Sequence, residues 1–566
     1  MFAIRKVKRI AVFIALILVI SLQTRASGLS LFSNDRKKAK DLVDFKFNMS
    51  YIHYSDKQSY INYVDNTKGA LSEVAPGYFK LSSTGSLIIS STIDKNFIDE
   101  MHKRGIKVVP YLSNDWDRTS GRLALSKRHT LSTDIAEAVQ KYNLDGVNVD
   151  LENLTEDDRE RYVDFIRLLR KKLTWDKTIA VAVAANPKGL TTGWHGSYDY
   201  EELAKYCDYL MIMTYDEHYS GGSAGPVASI NFVEKSIQYA LERVPKEKIV
   251  LGIPFYGRIW RSGGGLSGQG ISLKVAENLI ANYGGNVMFS NVYLSPKATI
   301  TIKTGSKKPV VNGKTLSAGT YTIWYENEQS IKYKLNLVKK YDLKGTGSWS
   351  LGQEPSNVWD YYNLWLNGQY YEDCEGHWAQ KYIIFALNNG WLEPEDKSEF
   401  APDKPVTRAE AVVAIIRALQ LEDDKQAALG DNTKFSDISG HWAEKEILSA
   451  LNHRIVAGNG GGAFLPDKPV TREEIAVMMD RAISSGRVLA VNQSRGEYLA
   501  SSLDEAASVS YNDVNLELCA WSYSSIMRMA QIGLFANISD GDRFNPKKEI
   551  SKAEMAALLY NIYRSN

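Results

Sequence analysis

Cysteine is nearly absent from this chain: only Cys207, Cys374 and Cys519 occur in 566 residues. They are odd in number and far apart, which excludes a disulfide framework and the spacing of a metal site, and they read as packing residues. An excess of charge is lacking too. The formal net charge is +2, with no long basic run beyond the N-terminus, so there is no electrostatic footprint for nucleic acid. A bilayer-spanning run is also missing. The most apolar stretch, Ile10 to Leu22, falls short of the ~20 residues a spanning helix needs. No strand is followed by a phosphate-binding loop; Gly263-Gly264-Gly265 is not closed by Lys-Ser/Thr and reads as a flexible loop. His195 and His218 follow strand ends but fit no metal motif, so they read as solvent-facing, and no metal or organic cofactor is expected.

What is present begins with a targeting signal. Arg5, Lys6, Lys8 and Arg9 precede the apolar run, and Thr24-Arg25-Ala26 follows it. This pattern predicts a secretory signal over residues 1–26, then a linker over 27–43, and no membrane span in the mature chain. The remaining length exceeds one domain, and 44% hydrophobic with 24% charged residues is ordinary for globular protein.

Residues 44–368 alternate between strand and helix patterns. Strands are expected at Phe45–Tyr51, Tyr78–Ile89, Ile106–Leu112, Asp145–Glu152, Ile179–Ala185, Tyr209–Tyr215, Ile249–Tyr256 and Thr346–Leu351. Between them, Ile135, Ala138, Val139 and Tyr142, then Tyr162, Phe165, Ile166 and Leu169, recur at helical spacing. The second helix is opened by Thr155 with Asp158 three residues on. This pattern predicts an α/β fold, a (β/α)8 TIM barrel, with chemistry at the C-terminal strand ends. About residues 257–326 lack helical periodicity and read as a small α+β insertion between strands 7 and 8.

The fourth strand candidate carries the polar cluster. In Asp145-Gly146-Val147-Asn148-Val149-Asp150-Leu151-Glu152, strand alternation sends Val147, Val149 and Leu151 to one face and Asn148, Asp150 and Glu152 to the other. With helices covering the outer face, the polar set converges at the barrel mouth.

Beyond Tyr370 the chain repeats. Gly376-His377-Trp378-Ala379 is echoed by Gly440-His441-Trp442-Ala443, and Thr407-Arg408-Ala409-Glu410 by Thr471-Arg472-Glu473-Glu474, at the same offset. A looser third copy contains Trp521 and Ser551-Lys552-Ala553-Glu554. Three copies imply units that complete each other's cores in an α-rich repeat domain, over 369–422, 433–486 and 509–566. Stretches Glu422–Asp431 and Ser484–Ser510 read as linkers between repeats. Each Thr/Ser-x-x-Glu is a capping box. Arg408, Arg472 and Lys552 then fall at the first helical position, beside unpaired N–H groups, which looks like an anion site.

The motif Asp145-x-x-Asn148-x-Asp150-x-Glu152 resembles the Asp-x-x-Asp-x-Asp-x-Glu signature of glycoside hydrolase family 18, chitinase-like enzymes and spore peptidoglycan N-acetylglucosaminidases. The resemblance extends to Met211–Asp216, Gly252–Arg258 and Gly347–Ser350. It implies retaining, substrate-assisted hydrolysis of a β-1,4 bond after N-acetylglucosamine, in peptidoglycan or chitin. On that reading Glu152 is the general acid, and Asp150 raises its pKa and orients the substrate acetamido group. Tyr215 bonds the acetamido oxygen and Trp349 floors the subsite. Asp145, Asn148, Met213, Asp216 and Tyr256 also contact substrate.

Asn148 departs from the family's usual Asp; it is expected still to bond Asp150 and to change the pH profile. Ser113-Asn114-Asp115 replaces a Ser-x-Gly-Gly element, which, with Asn148, resembles subgroups acting on peptidoglycan. The repeats resemble S-layer homology (SLH) domains, implying a secreted protein held on the bacterial cell wall or S-layer through a secondary cell-wall polymer. Arg408, Arg472 and Lys552 would meet its carboxylate and Trp378 and Trp442 its sugars. A lysine cannot hold a carboxylate bidentately, which sets the Lys552 groove apart. A non-catalytic, lectin-like barrel and an S-layer-associated structural protein remain alternatives, as do self-assembly or a spacer role for the repeats.

Overall fold

A computed structural model describes residues 45–53, 56–355, 357–421, 435–458, 461–484 and 510–564. The signal over 1–26, the linker over 27–43 and almost all of the two inter-repeat stretches lie outside the described residues. The chain divides into two compact units, one over Lys46–Tyr370 and one containing Tyr371–Asn566.

The first unit is a closed parallel barrel. Its strands are β1 (Phe47–Ile52), β2 (Glu73–Pro76, resumed at Phe79–Leu81), β3 (Lys107–Val108, resumed at Tyr111–Ser113) and β4 (Gly146–Asp150). They continue as β5 (Thr178–Ala184), β6 (Tyr209–Met213), β7 (Ile249–Pro254) and β8 (Gly345–Trp349). Each pairs in parallel with its sequence neighbour, and β8 pairs with β1, which closes the ring.

Two strands differ from expectation. β2 begins at Glu73, and Leu87–Ile89 folds back on it as an antiparallel extension. β3 breaks at Val109-Pro110, because proline has no N–H to donate. The ladder survives the break: Val109 N–H reaches Val74 O at 2.9 Å, and Pro110 O accepts from Asn148 N–H at 2.9 Å. Close strand approach explains Gly146, whose φ is +152° and where a Cβ would lie 1.9 Å from Thr178 O.

Burial follows the alternation. Val147, Val149 and Leu151 are fully buried and belong to the large core between sheet and helices. Tyr162, Phe165, Ile166 and Leu169, on helix Arg159–Lys172, are in that same core. The helix is preceded by a 3-10 turn over Glu156–Asp158 in which Thr155 and Asp158 form a capping box. The insertion between β7 and β8 is a five-stranded antiparallel sheet running from Tyr256 to Trp324. It also contains a helix, Leu273–Asn282, where no helical period was expected.

Among the described residues the second unit holds six α-helices, two from each repeat, and they pack across repeats: Gln380–Asn388 on Lys552–Arg564, Arg408–Leu419 on Glu444–Asn452, and Arg472–Ser484 on Tyr523–Gln531. The repeats interlock in a cycle through bridges Thr407 to Pro469, Thr471 to Glu549 and Pro405 to Ser551.

Candidate active site

β4 sets the chemistry. Asn148 and Asp150 point into the barrel and are buried, while Glu152 stands just past the strand end, half-buried. Asn148 does not bond Asp150 as expected. Its Nδ2 donates instead to the Tyr51 hydroxyl on β1 at 3.0 Å. Positions two apart on a strand are separated by about 6.6 Å, whereas Tyr51 reaches across the interior. The Oδ1 atoms of Asn148 and Asp150 are both buried without a hydrogen-bond partner.

Burial pushes the Asp150 carboxyl up to about 7. The Glu152 carboxyl is held well above the usual carboxylate range, first by burial, then by the nearby charges of Asp150 and Asp216. The backbone around Glu152 is held by Asn114: Glu152 N–H donates to Asn114 Oδ1 at 2.9 Å and Asn114 Nδ2 donates to Glu152 O at 2.9 Å.

The ends of β6, β7 and β8 complete a cleft of about 780 Å³ lined by Asp150, Glu152, Met213, Tyr215, Asp216, Tyr256 and Trp349. Asp216 Oδ1 accepts from Tyr256 Oη at 2.7 Å and from Arg258 Nε and Nη2 at 2.9 and 2.7 Å. Arg258 spends Nη1 on Gly268 O at 2.7 Å. Trp349 forms the floor against Tyr51, His53 and Tyr111, with ring centroids 5.1, 5.0 and 6.0 Å away. Asn114 and Arg258 fall within stretches noted in the sequence, but neither they nor Tyr51 were given a role there, since each acts through a partner distant in the chain.

Asp145 is not brought to the cleft. It precedes β4, at the opposite end of the strand, where Oδ2 accepts from Val108 N–H at 2.8 Å and contacts His102 Nε2 at 2.7 Å. Its odd register already places it on the face away from Asn148, Asp150 and Glu152. His195 and His218 are half-buried rather than solvent-facing: the first packs on Trp194 and the second donates Nδ1–H to Pro226 O at 3.0 Å. Among the described residues no cluster of three or more His, Cys, Asp or Glu is placed to hold a metal ion.

In the repeat unit the expected open anion sites are filled. N–H groups of Arg408 and Ala409 bond Lys468 O and Pro466 O; those of Arg472 and Glu473 bond Lys548 O and Pro546 O; those of Lys552 and Ala553 bond Lys404 O and Pro402 O. The side chains follow the same cycle. Arg408 donates to Phe464 O at 2.9 Å and Glu474 at 3.1 Å, and Arg472 to Phe544 O and Glu554, both at 2.7 Å. Lys552 donates to Phe400 O at 3.3 Å and Glu395 at 3.2 Å. Each repeat thus satisfies the helix start of another, which is why these cations are buried. Trp378 and Trp442 are 51% and 58% exposed. Trp378 lines a cavity of about 600 Å³ whose wall includes Arg472, Asp540, Lys548 and Glu554.

The sequence profile of Glycosyl hydrolases family 18 matches residues 49–354, and that of the S-layer homology domain matches 370–412, 434–476 and 510–556. The chain is 28% identical over 222 residues to the "Uncharacterized glycosylase YvbX" of Bacillus subtilis, covering 39% of this chain and 61% of that protein. It is 26% identical over 292 residues to a "Cortical fragment-lytic enzyme" of B. subtilis, covering 50% and 64%. The chain thus spans less than two thirds of these relatives' length. The Bacillus cereus spore cortex-lytic enzyme SleL shares the fold, with a TM-score of 0.50 and 21% identity over 57% of this chain and 74% of that one.

Proposed function

Because the chain belongs to glycosyl hydrolase family 18 and carries three SLH domains, we propose that it is a wall-attached hydrolase of N-acetylglucosamine-containing glycan, with peptidoglycan as its substrate. The observation that carries this reading is the Asp150–Glu152 pair: a carboxyl with a strongly raised pKa at the strand end, beside a buried carboxyl whose Oδ1 has no partner. Glu152 then protonates the glycosidic oxygen as the C1–O bond breaks. The substrate's acetamido oxygen attacks C1, so no enzymic nucleophile is needed. Asp150 accepts the acetamido N–H at its vacant Oδ1, Tyr215 bonds the acetamido oxygen, and Trp349 lies under the ring. Water, deprotonated by the Glu152 carboxylate, opens the ring intermediate with retention.

Met213, Asp216 and Tyr256 border the same subsite. The relative named as a cortical fragment-lytic enzyme supports peptidoglycan over chitin. The SLH unit would hold the protein on a secondary cell-wall polymer, with Trp378 and Trp442 against its sugars. Arg408, Arg472 and Lys552 would serve mainly by fixing the repeats, and residues 1–26 would direct secretion. Among the described residues no helix is long and apolar enough to cross a membrane.

Mass spectrometry of products from purified peptidoglycan, with Glu152→Gln as control, tests the reading. Fragments ending in reducing N-acetylglucosamine are expected, and the variant should be slower by about 10²–10⁴-fold. Equal product from both proteins would overturn the assignment of the acid.

A further inference from the structure

The loop after β3 is laced to the residue that follows the acid. Arg118 donates Nε to Asn153 O at 2.6 Å and Nη2 to Asn153 Oδ1 at 2.8 Å. Asn153, at φ +59°, returns Nδ2 to Trp116 O at 2.9 Å. Together with the Asn114 bonds to Glu152, this fixes an exposed guanidinium one residue beyond Glu152. Among the described residues no carboxylate pairs with it. Its acidic neighbours are engaged elsewhere: Asp115 with Lys80, and Asp117 with Thr119 N–H at 2.9 Å. Trp116, 48% exposed, meets Trp194 edge to face at 4.9 Å on the same shoulder.

Substrate chemistry says what such a cation could meet. The acid acts on the oxygen at C4 of the leaving sugar. A muramyl unit carries its lactic acid ether on the adjacent C3, so its lactyl carboxyl group, which is a free carboxylate where no stem peptide is amide-linked to it, must lie close to Glu152. Inside the cleft that group would face Asp150, Glu152 and Asp216, and the guanidinium lining the cleft, Arg258, is spent on Asp216 and Gly268. A plain N-acetylglucosamine has only a hydroxyl there.

We propose, resting on the hydrolase reading above, that Arg118 is a specificity residue that holds the lactyl carboxylate of a leaving muramyl sugar that bears no stem peptide, and so selects peptide-free muramyl glycan over chitin. Asn153 takes the Nε and one Nη2 hydrogen and so fixes the guanidinium before substrate arrives, which leaves Nη1 and the second Nη2 hydrogen as a planar end that suits a carboxylate.

The test compares Arg118→Ala and Arg118→Lys with the unaltered protein on two substrates: peptidoglycan strands stripped of stem peptides, which carry free lactyl carboxylates, and N-acetylchitohexaose. Arg118→Ala should lower kcat/KM on the strands by at least about tenfold and on chitohexaose by less than about threefold, with Arg118→Lys between. Added salt should narrow the gap. Equal losses on both substrates would mean that Arg118 only supports Asn153, and no loss on either would also overturn the proposal. Binding of both glycans is measured in parallel on Glu152→Gln with and without Arg118→Ala. If the unaltered protein cleaves neither glycan, the hydrolase reading fails, while the difference in strand binding still decides the role of Arg118.

Discussion

Asn148 donates its side-chain amide to the hydroxyl of Tyr51, 97 residues away, and not to Asp150 two positions along the same strand. This leaves two buried acceptors, Asn148 Oδ1 and Asp150 Oδ1, without donors. An unsatisfied buried acceptor carries a desolvation penalty of about 1–3 kcal/mol. On the proposed mechanism a substrate N–H arriving there would relieve part of it, so recognition of the acetamido group would draw on a cost already present in the folded chain.

The pH dependence follows from Glu152. A carboxyl with a raised pKa keeps its proton to higher pH, so kcat/KM persists where an ordinary carboxyl has ionised and falls as pH rises through the raised value. Asp150→Asn removes a neighbouring charge but leaves burial, the larger cause. The expected result is a slower enzyme whose alkaline limb lies at lower pH, yet still above the ordinary carboxylate range. A pH–rate profile on a soluble oligosaccharide checks this; an unmoved limb would mean that Asp150 does not raise Glu152.

Asn148→Asp should act in the opposite direction. It adds a carboxyl beside Asp150, and Tyr51 must turn from acceptor to donor. Two buried carboxyls then share protons in coupled steps. The added negative charge should move the alkaline limb of Glu152 to higher pH, read from the same profile. An unmoved limb would show that the acid does not sense residue 148, and a limb at lower pH would reverse the sign assigned here.

Arg472 is 1% exposed and bonds both oxygens of Glu554. Arg472→Ala leaves the buried Glu554 carboxylate to the half-exposed Lys548 and is expected to cost about 3 kcal/mol. Lys552→Ala should cost less, since Glu395 is part-exposed and the other partners are carbonyl groups. Thermal unfolding of the full chain measures both. A larger loss for Lys552→Ala would reverse the ranking of these two joints.

What sequence made legible was whatever lies within one strand or one helix turn. The alternation through Val147–Glu152 placed the polar face of β4, and Thr-x-x-Glu placed the capping boxes at Thr407 and Glu410. Relationships between elements were hidden. Nothing near Asn148 points to Tyr51, and nothing near Arg408 shows that Glu474 and Phe464 will take its donors. Helix Leu273–Asn282 escaped notice because only Leu273, Ala276 and Leu279 are buried on it, too short a stripe to register as a period. β2 and β3 were blurred by their interruptions at Gly77-Tyr78 and Val109-Pro110.

The cyclic joints of the repeat unit bear on how such an anchor can be inherited or trimmed. Arg408 needs the second repeat, Arg472 the third, and Lys552 the first. Deleting any one repeat would leave one buried cation without its acid and two helix N–H groups without their carbonyls. The trio is therefore a minimal unit: a shortened version would lose the fold of the whole grip, and gain or loss of wall attachment would come in steps of three.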